Sequence, residues 1–529
     1  MSPFAMAPMQ RRQFLRFVGA AGAATAFTGS LSACGGPAST GSAGNGATDT
    51  IEAGISYTLS TGFDPMTATG ATPVAANLHV FEGLVDLDPV TREPYPALAA
   101  ALPEQRDDTT LRVTLRSRAK FHDGSPVTAD DVVYSYERVL DPANESLYAT
   151  FIPFVERVEA VDDTTVDITL KYPFALVNER LGVVKIVPRR LVEADPKSFD
   201  ANPVGSGPFA LVESIKDDKL VFEKFAGYNG PRPARVSSMT WRLLDDPTAR
   251  VTALESERVQ AIEDVPYIDI DRLAKVGKVE QVQSFGMLFL MFNCASAPFD
   301  DRRVRQALHY AIDKRKLIDS ALLGGASAAV GYTPRSHPDH LEPSTVYTYD
   351  PDKAKALLKA AGVSNLSIDL VATNTGWVQD AAPFIKEDFD AIGVRTNLDI
   401  GESGGQYADK VATGRYQVMI APGDPSVFGN DLDLLLRWYN YGNWPTNYSY
   451  WSRTPEYERA TKLMDEAVRS TDEGKRRDLW QKVVDLIAEE AHTYPLLHRK
   501  LPTGWKPDEL DGFAPLPTTG LSFLDVGRG

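Results

Sequence analysis

The sequence predicts a mixed α/β protein with two or three domains. Segments with helical periodicity alternate with short strand-like segments, and no short internal repeat interrupts this alternation. About 480 residues follow an N-terminal stretch of small residues, which is more than one hydrophobic core usually organises. These residues contain no run that is apolar enough to span a bilayer. We therefore expect a large body with more than one core.

Three segments are typical of β-strands. Residues 109–115 and 164–170 alternate polar and apolar side chains, as half-buried strands do. Residues 285–292 are continuously apolar, which indicates a central strand that is buried on both faces.

Helices are predicted from their end signals and apolar stripes. Residues 128–131 form a capping box, and residues 350–362 open with Asp-Pro and close with Gly. An apolar stripe opposite several arginines predicts the longest helix over residues 301–322. Two more helices are expected between residues 460 and 491, with a break near residues 470–473.

The first 33 residues (1–33) are typical of an export signal. Arg11 and Arg12 precede an apolar run, residues 14–31, that is too short and too rich in small residues to be a good membrane span. The arginine pair resembles a twin-arginine signal and also fits the basic region of an ordinary Sec signal. Residues 31–34, Leu-Ser-Ala-Cys, resemble a lipobox in which Cys34 is diacylated and becomes the mature N-terminus. We expect a lipoprotein exported to the outer face of the cell membrane, with the twin-arginine route favoured.

A flexible tether and an acidic body should follow the signal. Residues 34–50 are mostly Gly, Ser, Ala and Thr, and without large apolar side chains they cannot form a core. The net charge of −16 becomes −19 when Arg11, Arg12 and Arg16 leave with the signal. This charge argues against binding to nucleic acid or adsorption to anionic lipid, and it favours neutral or cationic ligands.

The cysteine content excludes stabilisation by disulfides within the chain. The sequence contains only Cys34 and Cys294, and lipidation of Cys34 leaves the second thiol without a partner. We expect Cys294 to be a buried small side chain that is chemically inert.

Motifs of catalysis and metal binding are missing from the sequence. It has no His-Glu-x-x-His, Walker loop or strand-linked Gly-x-Gly-x-x-Gly. Ser117 and Lys120 match Ser-x-x-Lys, but the partner motifs of penicillin-binding enzymes are absent. His337 and His340 lie in a proline-containing loop, which does not favour a metal site. We therefore expect no enzyme activity, no cofactor and no metal.

Several multi-residue motifs occur in a fixed order along the chain. Residues 111–116 read Leu-Arg-Val-Thr-Leu-Arg, and residues 120–132 read Lys-Phe-His-Asp-Gly-Ser-Pro-Val-Thr-Ala-Asp-Asp-Val. Further motifs are found at residues 81–84, 202–209, 228–229, 292–293 and 298–313. Together they resemble the family 5 solute-binding proteins of bacterial ABC importers, the dipeptide- and oligopeptide-binding group. The resemblance covers nearly all of residues 50–529.

This resemblance implies an α/β fold of the periplasmic-binding-protein type II, in which two lobes joined by a hinge enclose a cleft, plus an extra α/β domain. It implies lobe I at residues 50–83, 188–287 and 491–529, the extra domain II at residues 84–187 and lobe III at residues 288–490. The chain crossings near residues 287 and 491–494 would form the hinge.

Two glycine motifs have local structural interpretations. Residues 205–208, Gly-Ser-Gly-Pro, are expected to form a sharp turn between strands in which glycine supplies positive φ. Residues 123–124, Asp-Gly, predict a hairpin-type turn. Both motifs are interpreted as scaffold and not as the binding site.

The resemblance leaves the ligand anchor open. In peptide-binding relatives an aspartate of lobe III pairs with the α-ammonium group of the peptide. An ungapped match puts Ala421 at this position, whereas a two-residue deletion puts Asp424 there; alternatively, Asp424 caps the turn at Pro425. Ile420 and Leu322 stand near the places where oligopeptide-type relatives hold the ligand carboxylate with a basic side chain.

Aromatic side chains of lobe III are the remaining candidates for ligand contact. Their rings could stack on peptide side chains, sugars or organic cations, and each alone could equally belong to the core. They are Trp377, Trp438, Tyr439, Trp444 and Trp451.

The sequence thus predicts a monomeric binding lipoprotein that captures a solute, with a peptide favoured, and delivers it to the permease and ATPase subunits of an ABC importer. A ligand-sensing receptor without transport would have the same sequence features. A non-peptide solute, such as a sugar, a metal chelate or a cationic metabolite, is the alternative for the ligand. A secreted hydrolase would need a nucleophile and a base that the motifs do not provide.

Overall fold

The computed structural model describes residues Asp49–Gly529 except Ala175 and Thr471. The predicted export signal and Cys34 lie outside the described residues, as does the tether up to residue 48. The first strand begins at Thr50, where the tether was predicted to end. Within the described residues, no helix has both the length and the apolar character needed to cross a membrane.

The strands, in chain order, are β1 Thr50–Ile55, β2 Val85–Leu87, β3 Pro94–Pro96, β4 Glu104–Gln105, β5 Thr110–Thr114, β6 Val155–Asp162, β7 Thr165–Leu170, β8 Phe209–Ile215, β9 Lys219–Lys224, β10 Ser238–Leu243, β11 Ala261–Ile262, β12 Lys278–Phe292, β13 Ala326–Ala328, β14 Ser367–Thr373, β15 Arg395–Gly401, β16 Val418–Gly423, β17 Thr493–Trp505, β18 Leu510–Asp511 and β19 Gly527–Arg528.

The α-helices are α1 Ala71–Val80, α2 Ala129–Leu140, α3 Val177–Leu181, α4 Arg189–Ala194, α5 Pro196–Ala201, α6 Pro247–Glu255, α7 Ile270–Leu273, α8 Arg302–Ala311, α9 Lys314–Lys316, α10 Pro351–Ala360, α11 Gly376–Ala391, α12 Ser403–Gly405, α13 Leu432–Asn440, α14 Asn443–Asn447, α15 Pro455–Arg469 and α16 Glu473–Glu490. Single π-helical segments follow α9 and α12, at Leu317–Ala321 and Gln406–Val411.

One mixed sheet runs through the body in the order β15-β14-β16-β12-β17-β11-β1-β10-β9-β8, and β13 pairs with β17. The two long strands β12 and β17 lie at its centre, antiparallel to each other. Their ladder is regular from Lys278 to Gln283 and resumes at Met287. Residues 285–292 fall in the buried part of β12, which confirms the predicted central strand.

A separate four-stranded sheet in the order β4-β5-β7-β6 carries the two strands that were predicted from alternation. The apolar side of β7, with Val166, Ile168 and Leu170, is buried. Helix α2 packs on this sheet and begins with the predicted capping box, because Thr128 accepts from Asp131 N–H and Asp131 accepts from Thr128 N–H.

The buried residues of the body form three clusters. One contains the four-stranded sheet together with the half of the main sheet that holds β14, β16 and part of β12. A second surrounds β1, β8, β9 and β10, and a smaller one lies beside α6. Cys294 is buried and free, which confirms the predicted burial, and burial raises the pKa of its thiol to about 11.

The prediction of a single helix over residues 301–322 is wrong. Helix α8 ends at Ala311, and Ile312 is extended with ψ near 122°. Asp313 then caps α9 with its side chain, while its own N–H donates to Asp388 at 2.9 Å. The capping aspartate thus ends one helix and starts the next, although the apolar stripe continues through Ile312, which is buried. The break predicted near residues 470–473 is confirmed by the ends of α15 and α16.

The Gly-Ser-Gly-Pro motif also differs from its prediction. It joins α5 to β8, and neither Gly205 nor Gly207 adopts a positive φ. Each glycine instead allows close approach of the backbone to the end of α1. A Cβ atom on Gly205 would lie 1.9 Å from the Val80 carbonyl oxygen, and one on Gly207 would lie 2.3 Å from that of His79. The predicted turn at Gly124, in contrast, has the expected φ of +85°.

Candidate functional site

A cavity of about 730 Å³ opens between distant parts of the chain. Its walls include Tyr57 after β1, Leu147 after α2, Trp377 in the first turn of α11, Trp438 on α13 and Arg499 in β17. This volume falls in the range of about 300–1,000 Å³ that is usual for small-molecule sites. The long loops and strand ends at the centre of the main sheet therefore enclose space for an organic ligand.

The candidates predicted from the sequence meet at this cavity. Asp424, Trp377, Trp438, Tyr439 and Trp444 all line it. Trp451 does not, because it is fully buried and stacks on His492 with ring centroids 4.1 Å apart. Ala421 is fully buried within β16.

Trp444 is the centre of an aromatic wall. Its ring meets Tyr439 at 4.8 Å and Tyr448 at 5.0 Å, in both cases edge to face, and Tyr407 at 6.1 Å. Such pairs stabilise one another beyond the area that they bury. The wall is therefore rigid and offers ring faces to a ligand.

Three fully buried hydrogen-bond donors of the cavity residues have no partner among the described residues. They are the indole N–H groups of Trp377 and Trp444 and the hydroxyl of Tyr439. Burial raises the pKa of Tyr439, so this hydroxyl keeps its proton. Because unpartnered buried donors are costly, ligand or water acceptors at these atoms would stabilise the site.

Asp424 borders the cavity with its carboxylate already bonded. One oxygen accepts from the N–H and hydroxyl of Ser426, which caps the short 3₁₀ turn Pro425–Val427. The other accepts from the N–H and hydroxyl of Thr519, each at 2.9 Å. A carboxylate offers about four lone-pair sites, and these donors occupy them. The geometry agrees with the turn-cap interpretation and leaves little room for a ligand ammonium.

At another part of the wall, Arg499 lies against Trp377. Its guanidinium carbon is 4.9 Å from the Trp377 ring centroid, and the side chain is 3 % exposed. Its Nε donates to the Tyr267 hydroxyl at 3.0 Å, and its Nη2 donates to Asp264. Burial disfavours the Arg499 charge, but the Asp264 carboxylate outweighs burial, so the pKa of Arg499 lies above its usual value.

Sequence reasoning missed Arg499 and two of the three tyrosines that surround Trp444, Tyr407 and Tyr448. The sequence signal for Arg499 was its position two residues after the apolar stretch 494–497. A charged side chain is unusual in a segment that is expected to be buried. Tyr407 and Tyr448 could not be singled out from the sequence, because tyrosines are also common in hydrophobic cores. No group of three or more His, Cys, Asp or Glu side chains within the described residues is arranged to hold a metal ion.

The comparisons with known proteins agree on one protein family. Residues 93–446 match the family described as bacterial extracellular solute-binding proteins, family 5 Middle. The glutathione-binding protein GsiB of Escherichia coli (strain K12) is 28 % identical over 478 residues, which cover 88 % of this chain and 92 % of GsiB.

Solved structures show the same fold. The periplasmic binding protein AgaA of A. tumefacien R10, in complex with agropinic acid, has a TM-score of 0.79 at 27 % identity, covering 89 % of this chain and 96 % of AgaA. The dipeptide binding protein of Pseudoalteromonas sp. SM9913, in complex with Met-Leu, has a TM-score of 0.80 at 20 % identity, covering 91 % of this chain and all of that one. These matches confirm the predicted type II binding-protein fold. The chain belongs to the bacterial extracellular solute-binding proteins, family 5.

Proposed function

We propose that this protein captures a short peptide, or an amino-acid derivative of similar size, in the 730 Å³ cavity and delivers it to the permease and ATPase subunits of an ABC importer. The observation that carries the proposal is the wall of the cavity, where aromatic faces lie beside unpartnered donors. Aromatic faces suit apolar side chains, and donors suit carbonyl and carboxylate oxygens. Relatives named for glutathione and for a Met-Leu complex support this ligand class.

The proposed lobes are those predicted from the sequence, with the hinge in β12 and β17. The interrupted ladder supports this position, because residues 284–286 lie outside the pairing and the Ser284 hydroxyl instead donates to the Arg499 carbonyl at 2.8 Å. Asp424 and Thr519 then lie on opposite lobes. Their contact would form when the cleft closes.

The proposed location is the outer face of the cell membrane. The arginine pair at residues 11–12 supports export, and the lipobox supports an anchor at Cys34. A protein held in this way stays close to membrane-embedded permeases while the acidic body remains in the aqueous phase.

A second ligand class is favoured by one specific comparison. AgaA, at 27 % identity, is in complex with agropinic acid, which is not a peptide. A non-peptide acid is therefore the alternative solute. A receptor that senses the solute without transport would use the same cavity.

Calorimetry on the purified protein tests the proposal. The ligands are glutathione, Met-Leu, the peptide Ser-Thr-Ser-Ala and agropinic acid, and the bound ligand is recovered after hours and analysed by mass spectrometry. We expect at least one peptide to bind and to be recovered intact. Residues 401–405 match Gly-x-Ser-x-Gly, but among the described residues no histidine lines the cavity to act as a base for Ser403. Binding of agropinic acid alone would replace the peptide proposal, and cleavage that scales with protein concentration would contradict a pure binding role.

A matched pair of variants places the ligand in the cavity. Trp444→Phe removes an unpartnered indole N–H from the wall but keeps a ring, and it should weaken binding of the peptide. Trp451→Phe makes the same change at a buried tryptophan that does not line the cavity, and it should leave affinity unchanged. Equal effects of the two variants would argue against this cavity as the site.

A further inference from the structure

The start of α11 borders the cavity through Thr375 and Trp377, and its first backbone donors are free among the described residues. Thr375 precedes this 16-residue helix but makes no side-chain cap. Within the described residues, Val378 and Gln379 donate to the Thr375 carbonyl, whereas the N–H groups of Gly376 and Trp377 have no acceptor. A Cβ on Gly376 would meet no atom within 4 Å, so the space beside these donors is open. A helix N-terminus also carries partial positive charge.

Two buried side chains point to a ligand at the same place. Trp377 is 6 % exposed and lines the cavity, and its indole N–H has no partner among the described residues. Arg499, which packs on the Trp377 ring, uses Nε and Nη2 for its contacts with Tyr267 and Asp264. Its Nη1 makes no hydrogen bond within residues Asp49–Gly529, and it is the guanidinium nitrogen left for a ligand.

The charges around Arg499 do not cancel its positive charge completely. Asp264 is shared between Arg499 and Arg250, whose guanidinium lies 3.6 Å from the same carboxylate. Glu263 is the neighbouring carboxyl group, and it accepts from the N–H and hydroxyl of Ser56. The Asp264 carboxylate is therefore shared by two guanidinium groups, and an anionic ligand would give Arg499 a further partner of opposite charge.

Resting on the proposed function, we propose that a carboxylate of the ligand binds where α11 begins, held by the backbone N–H groups of Gly376 and Trp377, by the indole N–H of Trp377 and by the Arg499 guanidinium. Charge-assisted bonds of this kind are the strong ones in a partly dry site. This position is distinct from those near Ile420 and Leu322, where the resemblance had led us to look for a basic residue. It also explains how an acidic protein can accept a ligand that carries a carboxylate.

Gly376→Pro tests the backbone donors without disturbing the helix. Proline lacks the N–H and fits the first position of a helix, and Thr375 already has an extended ψ of 124° that suits a following proline. Gly376→Ala keeps the N–H and is the matched control, while Trp377→Phe removes the indole N–H but keeps a ring under Arg499. We do not substitute Arg499 first, because its removal would leave the buried Asp264 carboxylate with the more distant Arg250 as its partner.

Affinities are measured by calorimetry for Met-Leu and for Met-Leu amide, which lacks the carboxylate. The parent and Gly376→Ala should bind the free acid roughly 10-fold or more tightly than the amide. Gly376→Pro and Trp377→Phe should each lose part of this preference, because each variant removes one donor while Arg499 and the other donors remain. Equal binding of acid and amide by the parent, or an unchanged preference in both variants, would overturn the carboxylate site while peptide binding stands.

If neither form of the dipeptide binds, the proposed peptide ligand fails on its own, and agropinic acid takes the place of the probe. Tight binding by Gly376→Ala with a loss of roughly 10-fold or more in Gly376→Pro would then support the carboxylate site. Equal affinities in the two variants, or no binding of this acid, would overturn it.

Discussion

Asp424→Asn should weaken ligand binding whether or not the ligand has a free amino group. Each Asp424 oxygen accepts from one backbone N–H and one hydroxyl, those of Ser426 and of Thr519. Asparagine keeps one oxygen and presents NH₂ in place of the other. The hydroxyls can turn to accept from this group, but one backbone N–H loses its acceptor in either orientation of the amide.

The size of the effect follows from that lost bond. A hydrogen bond to a charged acceptor contributes about 1.5–3 kcal/mol. On the proposed division into lobes, the amide keeps its bonds to Ser426 in the open form, while water solvates the Thr519 N–H. Closing the cleft then buries that N–H without an acceptor. The lost hydrogen bond therefore destabilises the closed form only, and it should raise the Kd for the ligand by roughly 10- to 150-fold.

Calorimetry with Met-Leu and N-acetyl-Met-Leu distinguishes this contact from an amine anchor. Equal losses for both peptides are expected if Asp424 joins the two lobes. The matched control is Glu402→Gln, which changes another carboxylate of the cavity wall that accepts from Gly404 and Gly405 in its own loop. A loss confined to the peptide with the free amine would refute the reasoning and restore Asp424 as the anchor for the ligand ammonium.

Three further predictions concern the anchor, the fold and acid stability. Cys34→Ala should move the protein from the membrane fraction to the soluble fraction, because the diacyl chains are the proposed anchor, and unchanged fractionation would exclude it. Gly205→Ala should lower the free energy of unfolding in urea by about 1–3 kcal/mol or more, because its Cβ would meet the Val80 carbonyl, whereas Gly376→Ala should not. Burial lowers the pKa of His498 from 6.5 to about 4, so below pH 6.5 the unfolded chain binds a proton that the folded chain does not, and stability falls. His498→Gln should reduce the stability lost between pH 7 and pH 5 by up to about 2 kcal/mol, and equal losses in parent and variant would contradict this cause.

Local patterns in the sequence were sufficient to predict several elements. The capping box at Thr128 and the alternation in β7 depend on neighbours within a few residues, and the structure confirms both. The prediction of one helix over residues 301–322 was wrong because an apolar stripe indicates which side chains are buried but not whether the helix is continuous. Ile312 is buried as the stripe requires, yet Asp313 interrupts the helix with its own cap.

The candidate site was predictable to the level of residue type. Aromatic rings beside the aspartate motif were chosen for their chemistry, and four of them line the cavity with Asp424. The hydrogen bonds from Thr519 to the Asp424 carboxylate could not be predicted, because Thr519 is 95 residues away in sequence. Arg499 was missed for the same reason, since its significance comes from its contact with Trp377 on another element.

Long-range contacts also explain why the aromatic wall keeps its shape. Trp438, a cavity residue, packs against Phe151 at 5.7 Å and Phe428 at 5.3 Å, and these two rings lie 5.6 Å from each other. Phe151 belongs to the proposed extra domain, and from the same domain the buried Arg180 donates through two nitrogens to Asp431, just before α13. Breaking such a buried pair by removing one partner is strongly destabilising. Because these contacts hold the helix that carries Trp438, the proposed extra domain supports one wall of the cavity, and substitutions at Phe151 or Arg180, which do not line the cavity, should alter ligand selectivity without touching the ligand.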